Sequence, residues 1–117
     1  MQTALVTGAS GGIGRAIVSR LAEREMRVIL TARRTSEMET LRAELPRPEI
    51  HLVEPADLTR DVDIDRLVRA VVDQIEALDV LVLNAGYAVS SSVADTTVDE
   101  WDRTFAVNVR APFLLTR

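Results

Sequence analysis

No cysteine occurs among the 117 residues, so disulfides and thiolate metal sites are excluded, and thiols say nothing about redox compartment. No metal site is expected. Lysine is absent too: all 14 basic side chains are arginines. A phosphate-binding P-loop, which needs a Lys-Ser/Thr pair, is therefore ruled out. The arginines are spread along the chain and the net charge is −4, so there is no basic face to displace counterions from nucleic acid. No apolar run approaches membrane-spanning length. Strand-forming sequence begins within three residues of Met1, so no signal peptide is expected. The expected partners include neither nucleic acid nor membrane, and the expected location is cytoplasmic. Repeats, linkers and low-complexity stretches are missing as well. What remains is ordinary globular composition, 47% hydrophobic and 27% charged, at a length that suits one domain spanning 1–117.

Strand and helix signals alternate from end to end, which predicts a parallel sheet covered by helices. Strands are expected at Thr3–Thr7, Arg27–Ala32, Ile50–Val53 and Val80–Leu83. The first helix carries Ile13, Ile17 and Leu21 on one stripe. The second opens on a Ser36/Glu39 capping box, buries Met38, Leu41 and Leu45, and ends at Pro46 and Pro48. The third shows the 3-4 spacing most fully, through Ile64, Leu67, Val68, Val71, Val72, Ile75 and Leu78. A second capping box, Thr97 with Glu100, starts a last helix that runs from Val98 to the terminus. His51 reads as a sheet-surface residue, and Trp101 as a core or subunit contact.

Thr7-Gly8-Ala9-Ser10-Gly11-Gly12-Ile13-Gly14 lies where the first strand hands over to the first helix. Gly8 permits a sharp turn at positive φ. Gly12 clears space for a pyrophosphate, and Gly14 allows close helix–strand packing. Unpaired N–H groups of the first helical turn, Ile13 included, then face the phosphates beside Ser10. The second strand ends Thr31-Ala32-Arg33-Arg34, about twenty residues past the glycines, at the ribose-reading position. An acid there would bind the 2′-hydroxyl of NAD. Ala32 offers none, and Arg33 presents a guanidinium fork to a 2′-phosphate, so NADP(H) is expected in preference to NAD(H). A solvated arginine pair is the plainer alternative. Nucleotide-binding methyltransferases share the strand–glycine–helix geometry but usually carry an acid at that strand end.

Asn108 lies on the apolar stripe of the last helix, where a polar side chain invites explanation. Pro112, four residues on, lacks the N–H that would bond the Asn108 carbonyl, so a kink and a free carbonyl are expected. A helix-packing asparagine beside a chance proline is the other reading. Ala111-Pro112-Phe113-Leu114-Leu115 is still apolar when the chain stops at Arg117 with no capping residue. Truncation is expected; a natural terminus that frays is the alternative.

With Thr-Gly-x-x-x-Gly-x-Gly at 7–14, Asp57, Asn84-Ala85-Gly86 and Phe105-Ala106-Val107-Asn108-Val109 in this order, the chain resembles the ordinary, non-extended short-chain dehydrogenase/reductases. The resemblance implies a Rossmann-type, doubly wound α/β fold of strand order 3-2-1-4, cut before a fifth strand. It implies an oxidoreductase that moves a hydride between a nicotinamide and a carbonyl or alcohol substrate. It further implies that Asp57 meets the adenine ring, Leu58 packs near it, and Asn84, Ala85 and Gly86 line the cofactor. Asn108 would supply the carbonyl that holds a relay water in an Asn-Ser-Tyr-Lys tetrad. The tetrad tyrosine and lysine have no counterpart here, since the only tyrosine is Tyr87 and no lysine follows it, so the chain alone is expected to be inactive. The intact protein would be a homo-dimer or homo-tetramer. A non-catalytic NADP sensor is the rival function.

Overall fold

A computed structural model describes residues 1–117. Four strands, β1 (Thr3–Thr7), β2 (Arg27–Thr31), β3 (Leu52–Val53) and β4 (Val80–Val82), form one parallel sheet of order β3-β2-β1-β4. This is the expected doubly wound arrangement. Helices α1 (Gly12–Glu23), α2 (Thr35–Glu44) and α3 (Asp61–Gln74) connect the strands, and α4 (Val98–Phe105) and α5 (Ala111–Thr116) follow β4. No helix is long and apolar enough to cross a membrane.

Strand periodicity divides the core into two layers. β1 and β2 pair Ala4 with Val28, Leu5 with Ile29 and Val6 with Leu30. Because successive side chains alternate, Val6, Val28 and Leu30 pack with Val18 and Ala22 of α1 and Met38 and Leu41 of α2. Leu5 and Ile29 turn the other way, onto Leu67 and Val71 of α3 and Leu115 of α5. β4 has only β1 beside it, and all three of its residues are half-buried.

Several local expectations are corrected. The buried face of α1 is Gly14, Val18 and Ala22, whereas Ile13 is 73% exposed. In α3 only Ile64, Leu67 and Val71 are buried; Val68 and Val72 face out, and the helix ends before Ile75 and Leu78. A stripe facing a flat sheet needs less width than the apolar pattern supplies. The Ser36/Glu39 capping box does not form, because the N-cap of α2 is Arg34, two residues before Ser36, and Glu39 pairs with Arg42 instead. The Thr97/Glu100 box does form, with both reciprocal bonds present.

The expected third strand is shorter than Ile50–Val53: Leu52–Val53 form β3, Ile50 closes a 3-10 turn, Pro48–Ile50, and His51 is no surface residue. It is 1% exposed. Its Nδ1 accepts the Val28 N–H at 3.0 Å, and its Nε2 lies 2.9 Å from the Pro46 carbonyl. Those two bonds require the neutral ring, protonated on Nε2 alone. Burial pushes its pKa below the ordinary 6.5, outweighing the Pro46 carbonyl and Glu49, which raise it. The unfolded chain therefore gains a proton, as pH falls through about 6.5, that the folded chain refuses. Stability is expected to be level well above pH 6.5 and to fall as the pH drops through that value. Urea unfolding of wild type and His51→Asn checks this. The variant retains an acceptor for Val28 and should lose the pH dependence, while an identical slope in both proteins would refute it.

The last helix is not one uniform α-helix. Ala106–Arg110 form a π-helical turn in which the Ala111 N–H bonds Ala106 O, five residues back. Backbone angles at Phe105, Ala106, Arg110 and Ala111 stay right-handed helical. Pro112 falls in the first turn of α5, directly after this widened turn, and π turns are among the usual causes of helix kinks. Arg110 of this turn grips Asp61 of α3 through both guanidinium and carboxylate arms.

Candidate functional site

Ligands of open α/β sheets bind where strand order reverses, beyond the carboxyl ends of the strands. Here the reversal falls between β1 and β4, and a cleft of about 720 Å³ opens there. All eleven residues expected to meet the cofactor line it: Gly8, Ser10, Gly12, Ile13, Gly14, Arg33, Asp57, Leu58, Asn84, Ala85 and Gly86.

The glycines divide the work. Gly8 adopts φ +63°, and a Cβ there would come within 2.9 Å of the Ala85 backbone. A Cβ on Gly14 would lie 1.9 Å from the Gly8 carbonyl oxygen, an impossible overlap, so α1 can begin this close to β1 only with glycine. At Gly12 nothing lies within 4 Å of the Cβ position. Its missing side chain serves no packing need within the chain; it leaves the cleft floor open. Arg15 N–H is the first to find a helical acceptor, Gly11 O at 2.7 Å. The preceding N–H groups have no place in the helical ladder and form a partial positive charge at the cleft.

Across the cleft the segment after β4 is held by β1. The Thr7 hydroxyl, 1% exposed, accepts the N–H groups of Asn84 (3.0 Å) and Ala85 (2.9 Å). Asn84 Nδ2 donates to the carbonyls of Thr7 and Gly8, each at 3.2 Å. Asn84 is therefore a brace between two strand ends, and its side chain is committed to that task. Thr7 was not singled out from the sequence. Its partners are 77 and 78 residues away, and no local signal announces them.

Arg33 and Arg34 both stand exposed at the end of β2. Arg34 pairs with Glu37 at 3.4 Å, while Arg33 takes part in none of the seven ion pairs of the chain. Asp57 builds a turn: its Oδ1 accepts both the hydroxyl (2.7 Å) and the N–H (2.9 Å) of Thr59. Those bonds, the Thr59 hydroxyl foremost, and the fields of Arg33 and Arg103 hold its carboxyl below the usual range against partial burial. Oδ2 remains without a partner in the chain, an ionised acceptor at neutral pH.

Asn108 lies outside the cleft lining and is exposed in this chain, which corrects its expected place on a buried stripe. Its side chain is nonetheless fully employed. Oδ1 accepts the Tyr87 N–H at 2.9 Å and Nδ2 donates to the Tyr87 carbonyl at 2.7 Å. The π-helical turn and the cleft-lining segment are thereby fastened together. Tyr87 lines the cleft, as does Arg103, whose guanidinium sits 4.7 Å from the Tyr87 ring centroid.

The family model described as short chain dehydrogenase matches residues 2–117. An uncharacterized oxidoreductase of Staphylococcus haemolyticus is 35% identical over 109 residues, 93% of this chain and 47% of that relative. Among solved structures, a short-chain dehydrogenase from Sphingobium yanoikuyae in complex with NADPH superposes with a TM-score of 0.88 at 32% identity, covering 99% of this chain and 46% of that one. A 3-ketoacyl-(acyl-carrier-protein) reductase from Brucella melitensis complexed with NADH gives 0.89 at 31% identity, covering 99% and 47%. The chain spans about half the length of the curated relatives it matches.

Proposed function

The chain belongs to the short-chain dehydrogenase family, and from that premise we propose that it is the cofactor-binding half of an NADP(H)-dependent oxidoreductase acting on a carbonyl or alcohol substrate. The observation that carries the cofactor choice is Arg33: an unpaired guanidinium on the cleft at the end of β2, beside Ala32 and with no carboxylate at that strand end. The cleft also fits a dinucleotide on its own geometry, through the open space at Gly12 and the free N–H groups that start α1. Bound there, the nicotinamide would supply the hydride donor or acceptor.

Each residue then has a physical task. The N–H groups at Gly12–Gly14, with Ser10, neutralise the pyrophosphate. Arg33 pairs with the 2′-phosphate. Asp57 offers Oδ2 to the amino group of the adenine, and Leu58 packs near that ring. Asn84, Ala85 and Gly86 form the wall nearest the strand-order reversal. Asn108 presents its main-chain carbonyl to a relay water, a reading supported by Pro112, which cannot donate to it. The tyrosine acid/base and its lysine would come from chain beyond these 117 residues, so this segment alone is expected to show no turnover.

Val98, Trp101, Phe105, Val109 and Phe113, all between 46% and 74% exposed and spaced along one side of the last helices, favour a subunit contact and hence a homo-dimer or homo-tetramer. Titrating the full-length polypeptide with NADPH and NADH tests the cofactor assignment. NADPH should bind at least about tenfold more tightly, the scale of one charge-assisted hydrogen bond. Equal affinities would refute it.

A further inference from the structure

Resting on the NADP(H) reading above, we propose that Arg103 is a second specificity-determining cation, reaching from α4 to hold the 2′-phosphate together with Arg33. The two arginines come from different elements, one after the end of β2 and the other on α4, yet both line the main cleft. Both also border a smaller adjoining hollow of about 450 Å³ around Asp57.

Arg103 joins none of the chain's ion pairs, although Asp99, Glu100 and Asp102 share its helix. What it does touch is the face of Tyr87, at 4.7 Å. A cation–π contact of that kind orients a guanidinium without consuming its hydrogen-bond donors. The fork is held over the cleft with its N–H groups available.

Charge at the cleft points the same way. Arg34 and Glu37 neutralise each other, which leaves Arg33 and Arg103 against the single carboxylate of Asp57. In the smaller hollow Asp102 adds a second carboxylate, so the surplus belongs to the main cleft alone. Both arginines also act on the Asp57 carboxylate, so their fields overlap there. A surplus cation next to the adenosine end is what a dianionic 2′-phosphate requires and a neutral 2′-hydroxyl does not.

Dissociation constants for NADPH and NADH, measured on the full-length polypeptide and on Arg103→Ala, Arg103→Gln, Arg33→Ala and the double variant, test the assignment. Arg103→Ala and Arg103→Gln should each weaken NADPH about tenfold and change NADH less than about twofold. The double variant should have no preference left. An equal loss for both cofactors would make Arg103 an adenine or Tyr87 support and overturn the proposal, as would no loss for either. The underlying reading fails separately: it falls if wild type binds both cofactors alike and Arg33→Ala changes nothing. If wild type prefers NADPH and Arg33→Ala removes part of that preference while Arg103→Ala does not, only the role of Arg103 is lost. Thermal unfolding of Arg103→Gln should match wild type, because the side chain is exposed.

Discussion

Gly14→Ala is expected to cost about 3 kcal/mol or more of stability and to abolish nucleotide binding. The added Cβ would lie 1.9 Å from the Gly8 carbonyl oxygen and 2.8 Å from its carbon. Both are backbone atoms at the end of a central strand, so no rotamer change relieves the clash. Inserting one extra methyl into a tight core typically costs about 1–3 kcal/mol; here α1 itself has to move, and its first turn carries the N–H groups that face the cleft. Gly12→Ala separates the two consequences. Nothing in the chain lies near its Cβ position, and alanine favours a helix by up to about 1 kcal/mol over glycine. That variant should keep or slightly raise the urea midpoint while losing NADPH affinity. Equal stability in Gly14→Ala and wild type would show that α1 does not rest on the Gly8 carbonyl. Unaltered NADPH binding in Gly12→Ala would show that the cleft floor is not where the pyrophosphate lies.

Ala32→Asp combined with Arg33→Ala should reverse cofactor preference in the full-length polypeptide. Losing the guanidinium weakens NADPH by about ten- to hundredfold, the range for a charge-assisted hydrogen bond. The new carboxylate repels the 2′-phosphate and accepts from the 2′-hydroxyl, so NADH tightens as NADPH weakens. Arg33 is exposed and the main-chain bond from Ala56 N–H to Ala32 O at 3.0 Å needs no particular side chain, whereas the new Asp replaces a half-buried alanine at the edge of the core. Paired titrations of the double variant settle the outcome. A variant that still prefers NADPH would move phosphate recognition away from the end of β2.

Much of this site was legible because its chemistry is written locally. A turn at positive φ and a helix start beside a strand end both need glycine, and those needs fall within Gly8–Gly14. The end of the second strand follows from the β-forming run before it, so Ala32 and Arg33 could be given a position and hence a ligand. Where expectations failed, either a contact distant in sequence or a shifted helix start had decided. His51 sits in a stretch that reads as a short strand, yet the Val28 N–H, 23 residues earlier, draws its ring inward. The Ser36/Glu39 pair has the spacing of a capping box, but α2 begins two residues too early for it.

The sequence by itself determined the alternation of strands and helices, the glycine cradle and the missing acid after β2, because periodicity, φ preference and side-chain charge act over a few residues. Tertiary structure alone decided that Thr7 organises Asn84 and Ala85, that Asn108 spends its side chain on Tyr87, that Pro112 follows a π-helical turn, and that Arg103 lines the same cleft as Arg33. Each of these depends on where parallel strands stop relative to one another. That register is set by burial on both faces of the sheet at once, and no short window of sequence contains it.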